Sequence, residues 1–235
     1  MSHHVHPYAH RLGTLRDWKS RWFADSGKYQ EYLKGDTLLR EFLVTRLRGM
    51  HVADIEMERS DKHWKVVVKT ARPGLIIGRS GEGATKLKNE VLSKLARWKI
   101  KTPKEFRIEI EEVRSPESNA ALGGQMTAEG LEKRMPFKRV MKQLLEKVMA
   151  NRDVKGARIE VSGRLGGADM SRKEHVKAGN IPLQTIRADV DFAREKAYLP
   201  YGIIGIQVWI YKGEVFAEKK APRVAAPVTP HASRA

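Results

Sequence analysis

Two glycines separated by two residues, Gly78–Arg79–Ser80–Gly81, stand between the apolar Leu75–Ile76–Ile77 and a run of helical periodicity, and this loop limits the chain more than any other feature. Glycines at that spacing remove the β-carbons that would hold a nucleic-acid backbone away. A helix predicted from Glu82 to about Trp98, with Leu87, Val91, Leu92 and Leu95 as its buried stripe, would aim its unpaired N–H groups and positive dipole end at the same point, where Arg79 adds a cation. The motif alone is weak in a chain with 19 glycines, where an ordinary helix–helix turn is the commoner explanation. Its setting adds to it. Asp36 is placed to cap a helix running to Arg48, with Leu38, Leu39, Phe42, Leu43 and Leu47 at helical spacing and Gly49 ending it. Val52–Glu58 and Trp64–Thr70 read as strands around the turn Ser60–Asp61–Lys62, with Trp64, Val66 and Val68 on one face, and Phe106–Glu111 alternates as a third strand. No Gly-Lys-Ser/Thr closes the loop, so it is not a nucleotide-binding P-loop.

A GxxG loop inside a strand–strand–helix–helix–strand order resembles a KH domain, whose loop clamps single-stranded nucleic acid. Charge agrees: Lys and Arg number 45 against 28 Asp and Glu, a net +17, and such an excess in a foldable chain points to a polyanionic partner. A cationic membrane-surface protein is the competing reading. The longest apolar stretch, Tyr201–Tyr211, is about half the roughly 20 residues a spanning helix needs. The opening MSHHVHPYAHRLG lacks the apolar core of a secretory signal. The absence of cysteine excludes disulfide scaffolds, thiolate metal sites and thiol nucleophiles. The expectation is a soluble, intracellular protein with no membrane partner.

The second half has its own organisation. Ser115–Gly124 (SPESNAALGG), small and polar, reads as a boundary. A long helical pattern follows to about Asn151, interrupted by Pro136, and strands are predicted at Ala157–Ser162, Thr185–Asp191 and Ile203–Tyr211. In the helix Lys138, Arg139 and Lys142 fall within an arc of roughly 100°, beside an apolar arc of Phe137, Met141, Leu144, Leu145 and Val148, with Arg134 at its start. A solvated face is the plain reading of such charges; a polyanion would offset their mutual repulsion. Gly163–Gly167 holds a second GxxG, read as a turn pressed against RNA or a neighbouring protein. The histidines His3, His4, His6 and His10 lack metal-site spacing and read as polar residues lying on RNA, and Asp189 and Asp191 as a salt-bridged strand edge near Arg187. No metal, cofactor or catalytic constellation is assigned.

Longer blocks are more specific. TARPGLIIGRSG (Thr70–Gly81), VSGRLGGADMSR (Val161–Arg172), PLQTIRADVDF (Pro182–Phe192) and YGIIGIQVWIYKGE (Tyr201–Glu214) resemble the small-subunit ribosomal protein three family in its bacterial or organellar form, and HVHPYAHRLG is similar to that family's start. By composition residues 1–35 read as an N-terminal extension and residues 215–235, rich in Ala, Pro and Lys, as a disordered C-terminal tail. The resemblance, which runs to about Glu214, implies an α+β chain with a type II KH domain (36–113) and a second α+β domain (114–214). It implies a structural protein of the subunit head, bound to 16S-type rRNA beside small-subunit proteins ten and fourteen. With proteins four and five, such a protein lines the channel through which messenger RNA enters. Gly78, Arg79, Ser80 and Gly81 would hold RNA; Arg134, Lys138, Arg139 and Lys142 would meet the messenger and help unwind it; Arg164, Gly166, Gly167, Arg172, His6 and Arg11 are candidates for contact with rRNA or a neighbouring protein. Two departures stand out: Lys138 occupies a position where that family usually has Arg, a better bidentate phosphate clamp, and Pro136 should kink the helix or restart it. The expected compartment is the bacterial cytoplasm, with an organelle matrix as the alternative. A free KH regulator of messenger RNA is the competing function, and a nuclease would need clustered carboxylates or an activated nucleophile.

Overall fold

In the computed structural model of the chain, residues 5–60, 62–100, 103 and 105–216 are described. The predicted tail from 217 onward, with His3 and His4, lies outside them. The N-terminal segment carries a one-turn helix α1 (Pro7–His10) and a two-residue strand β1 (Ser20–Arg21). Then come α2 (Ser26–Arg46), β2 (Val52–Arg59), β3 (His63–Thr70), α3 (Pro73–Ile77), α4 (Glu82–Arg97) and β4 (Glu105–Glu112). They build a sheet of order β1-β2-β3-β4, antiparallel between β2 and β3 and parallel between β3 and β4. A parallel pair needs a long crossover, and α3 and α4 supply it.

The inward side chains of β2 and β3 (Ile55, Met57, Trp64, Val66, Val68) meet Leu39 and Leu43 of α2, Leu47 just after it, and Leu87, Val91 and Leu95 of α4 in one buried cluster. Burying each such side chain contributes about 1.5–3 kcal/mol. One expectation needs correction. Helix α2 begins at Ser26 after Asp25, ten residues before Asp36, and runs across the 35/36 boundary. Asp36 is no cap: it is buried mid-helix at 3.6 Å from the Arg59 guanidinium and accepts a 2.7 Å hydrogen bond from the Trp22 indole.

The second unit begins with α5 (Ala120–Glu132) and α6 (Phe137–Met149), followed by β5 (Gly156–Gly163), β6 (Arg172–Gly179), β7 (Ala188–Leu199) and β8 (Gly202–Glu214). Its sheet is antiparallel throughout, in the order β6-β5-β8-β7. Both helices pack on one face, Leu131, Met141, Leu144 and Val148 against Ile159, Val161, Ile206 and Val208. Gly123 and Gly124, read as linker, are buried inside α5, where a β-carbon on Gly124 would lie 2.7 Å from Glu195 Cγ. The strand predicted from Thr185 starts instead at Ala188 and runs to Leu199. Strand β6 has no counterpart among the predicted strands.

Candidate nucleic-acid interface

The GxxG loop is built on backbone geometry that only some residues tolerate. Gly78 (φ 69°, ψ −172°) ends α3, Ser80 (φ 53°, ψ 21°) is left-handed, and Gly81 (φ 79°, ψ 4°) is left-handed immediately before α4. Both glycines are therefore favoured by φ, and at Gly78 a β-carbon would also crowd the Gly83 backbone N at 3.3 Å, whereas Gly81 faces open space. A third glycine, outside the motif, fixes the crossing of the two helices: a β-carbon on Gly83 would sit 2.5 Å from the Ile76 carbonyl oxygen and 2.8 Å from that of Ile77. Its only signal in the sequence is an unfavourable glycine in a first helical turn, which the motif reading passes over. Ile76 is buried and anchors the loop, while Leu75 and Ile77 stay exposed at 55% and 37% beside it. Arg79 is exposed, and among the described residues it has no ion-pair partner. The loop thus presents a cation, apolar flanks and open backbone to solvent.

The basic trio lies on one helix as expected; the correction concerns Arg134. Pro136 restarts the helix rather than kinking it: α5 ends before it and α6 begins after it, with Pro136 as its N-cap. The end is a Schellman turn, in which the Met135 N–H bonds to Gly130 O (3.1 Å) and the Arg134 N–H to Leu131 O (2.9 Å). Arg134 holds the left-handed position (φ 60°), so it lies between helices rather than on the basic face. In α6, Val140, Met141, Leu144 and Val148 are buried, while Lys138, Arg139 and Lys142 are exposed and, among the described residues, make no ion pair.

The structure adds neighbours to them. The Arg172 guanidinium pairs with Glu174 (3.4 Å) and lies 5.6 Å from the ring of Phe137, which places this candidate beside the start of α6. Among the described residues strand β6 pairs only with β5 and forms a sheet edge, with Lys173, His175 and Lys177 exposed along it and Glu174, Val176 and Ala178 half-buried. That alternation of period two is legible in the sequence and locates the strand.

Arg164 donates to Ala168 O (2.9 Å) and pairs with Asp169 (3.2 Å), so its charge is partly spent inside the turn. Gly166 and Gly167 are left-handed (φ 70° and 82°) and no helix follows them, unlike Gly78–Gly81. His6 caps α1 by accepting the Ala9 N–H at 3.4 Å, and its ring stands edge-on to Phe192 with centroids 4.7 Å apart. Burial, with Arg194 and Lys19 nearby, lowers its pKa. Asp189 pairs with Arg16 (2.7 Å) and Asp191 accepts the Ala120 N–H (2.9 Å), so both are committed, though neither to Arg187, which pairs with Glu214.

Arg11 departs most from expectation. It is wholly buried, with its guanidinium donating to the carbonyls of Ala188 (2.5 Å), Pro7 (2.9 Å), Thr185 (3.0 Å), Leu183 (3.1 Å) and Pro182 (3.3 Å). It is not an RNA contact. By taking the carbonyls of the 182–185 segment it also explains why the strand there starts late.

Residues 38–118 match the family model described as KH domain, and residues 127–210 match Ribosomal protein S3, C-terminal domain. Over 221 residues, 94% of this chain and 96% of the relative, the sequence is 42% identical to the small ribosomal subunit protein uS3 of Caldicellulosiruptor saccharolyticus. It is 41% identical to that of Nitrosococcus oceani over 226 residues (96% and 97%), and 40% identical to that of Synechocystis over 230 residues (98% and 93%).

Proposed function

The chain belongs to the small ribosomal subunit protein uS3 family, and from that premise we propose how its two exposed cationic surfaces are used. As a member of the family it is a structural, non-enzymatic, RNA-binding component of the small ribosomal subunit. In our reading it sits in the head of a bacterial cytoplasmic subunit on 16S-type rRNA. Small-subunit proteins ten and fourteen are its close neighbours, and four and five lie nearby at the messenger entry. Lys138, Arg139 and Lys142 face the incoming messenger and Arg172 borders them, while Gly78–Gly81 with Arg79 clamps a stretch of single-stranded RNA backbone.

The observation that carries this is selective pairing. Cations of the KH sheet and of α2 such as Lys65 and Arg46 are tied into ion pairs, with Glu109 and Glu90, whereas Lys138, Arg139 and Lys142 are exposed together on one helix face with no ion pair among the described residues. Unpaired cations at that density hold phosphates without reading base sequence. A messenger with stable structure must be opened at the channel, so the triple variant Lys138→Ala/Arg139→Ala/Lys142→Ala should slow translation of structured messengers several-fold more than of unstructured ones. Equal slowing of both rejects the unwinding role. Tagged protein should co-sediment with the small subunit at moderate and at high salt; release at high salt would favour the free KH regulator, which family likeness over 94% of the chain already argues against.

A further inference from the structure

No apolar cluster spans the two units among the described residues: one contains only residues of the first sheet and its helices, and the others only residues from Ala120 onward. Their direct seam is polar. Arg48 pairs with Glu132 (2.6 Å) and stacks over Tyr198 (4.2 Å), His51 faces Glu129 (3.4 Å), and the Gln125 amide donates to Val52 O (2.7 Å). The half-exposed Arg48–Glu132 pair contributes roughly 0–1 kcal/mol, and units joined mainly by a few polar contacts move relative to one another by default.

The N-terminal segment bridges the same two units. Its first half belongs to the second unit: His6 abuts Phe192, Arg11 is held by carbonyls of 182–188, and Arg16 pairs with Asp189. Its second half belongs to the first: Lys19 pairs with Asp54 (2.9 Å), Ser20–Arg21 add a parallel strand beside Met57–Glu58, Arg21 pairs with Glu56 (2.9 Å) and Glu58 (2.8 Å), and Trp22 bonds to Asp36. Between the halves, His6, Tyr8, Arg16 and Lys19 wall one side of an inter-unit cleft of about 1170 Å³, which Arg48, Val52, Glu132 and Tyr198 line as well.

We propose that residues 6–22 are a strap that locks the GxxG loop and the basic helix in one relative orientation, with Arg11 and Arg21 as its positioning residues, so that one RNA strand can engage both surfaces at once. The gain in binding rests on the reading that both surfaces hold RNA; the locking does not. Arg11 is suited to the anchor role because its carbonyl partners come from two stretches far apart in the sequence, residue 7 and residues 182–188, and a buried guanidinium without them would be strongly unfavourable. Preorganising two sites raises affinity with no added interaction, since the second engagement becomes intramolecular.

The absence of cysteine makes the test clean. Dyes on Lys88→Cys in α4 and Lys147→Cys in α6, both exposed, report the inter-unit distance by single-molecule energy transfer in the full chain. A single narrow distribution is expected, broadened by Arg11→Met and by Arg21→Ala; Arg21 is half-exposed, so its loss leaves both cores intact, and Arg21→Lys should narrow the distribution again. An unchanged distribution in both variants overturns the strap. In parallel, Arg21→Ala should weaken a long single-stranded RNA about tenfold while leaving unchanged a probe of about four nucleotides, the length a GxxG loop clamps. Broadening without loss of long-RNA affinity overturns the gain in binding. If the triple Ala variant of α6 binds long RNA like the parent, the site assignment fails, and the energy-transfer result still decides the strap.

Discussion

The outer face of the KH sheet and the face of α6 are both rich in charge, yet they use it in opposite ways. On β2, β3 and β4 each cation has a cross-strand or neighbouring partner: Lys65 with Glu109 (2.7 Å), Arg107 with Glu105 (3.1 Å), Lys69 with Glu56, and Arg21 reaching in from β1 to Glu56 and Glu58. On α6 and the β6 edge Lys138, Arg139, Lys142, Lys173 and Lys177 have no such partners among the described residues. A net charge of +17 is therefore not spread evenly. Where acids alternate with bases the charge holds strands in register; on α6 and β6 the one such pair is Arg172–Glu174 (3.4 Å) among the described residues, and the remaining cations are left for a polyanion.

The most disruptive way to break the comparison is to remove the core beneath the paired face. Trp64 is fully buried, edge-on to Phe106 at 5.5 Å with the Arg59 guanidinium stacked at 3.6 Å. Trp64→Ala should cost about 3–5 kcal/mol in chemical denaturation. The unit from Ala120 onward has its own apolar cluster, so its transition, followed by hydrogen exchange at amides of β5 and β8 across the denaturant series, should move much less. Equal shifts would show the two units unfolding as one.

Binding sharpens it next. Lys138→Ala/Arg139→Ala/Lys142→Ala should lower the slope of log Kd against log salt for single-stranded RNA by about 2, at roughly 0.7 for each phosphate left without its cation. Lys65→Ala/Lys69→Ala/Arg107→Ala removes as many charges and should leave that slope nearly unchanged. Equal slope changes would mean that only net charge matters. The glycines give a smaller, local contrast. Gly83→Ala must push α3 away from α4 and should destabilise by about 1–3 kcal/mol while weakening RNA at the loop. Gly166→Ala, in open space, should cost only the left-handed backbone penalty of about 1 kcal/mol.

What can be read from the sequence follows the same division. Strands β3 and β4 and helix α4 are legible because each buries one regular stripe, and the exposed α6 trio because its charges share one helical arc. The start of α2 is not, because Tyr29 and Leu33 are exposed and offer no apolar stripe before Gly35 and Asp36 turn inward. Gly123 and Gly124 read as linker because small residues look alike whether a chain is bare or pressed against a sheet. Arg11 misleads for a deeper reason. Its main partners are backbone carbonyls 171 to 177 residues away, and carbonyls carry no side-chain signal that a sequence could show.

The smallest expected effects are in pH, and they have opposite signs at two places that face the cleft. Glu195, packed over Gly124, has its carboxyl pKa raised by burial, against the opposing hydrogen bond from Gln125 and the charge of Arg48. The folded state then holds its proton more tightly than the unfolded one, so this group's contribution is fully present below the ordinary carboxylate range and is lost as pH rises through the raised value. Glu195→Gln should therefore be slightly stabilising at pH 7 and neutral at pH 3. His6 runs the other way: burial, Arg194 and Lys19 lower its pKa, so the unfolded state takes the proton first and stability falls as pH drops through the ordinary histidine range. Because neutral Nδ1 accepts the Ala9 N–H, protonation removes the α1 cap. Acidification from pH 7.5 to 5.5 should raise hydrogen exchange at Ala9 and His10 while amides of β2 and β3 stay protected. His6→Asn, which keeps an acceptor without the charge, should abolish that pH response, and a response surviving in His6→Asn would assign it to another group in the strap.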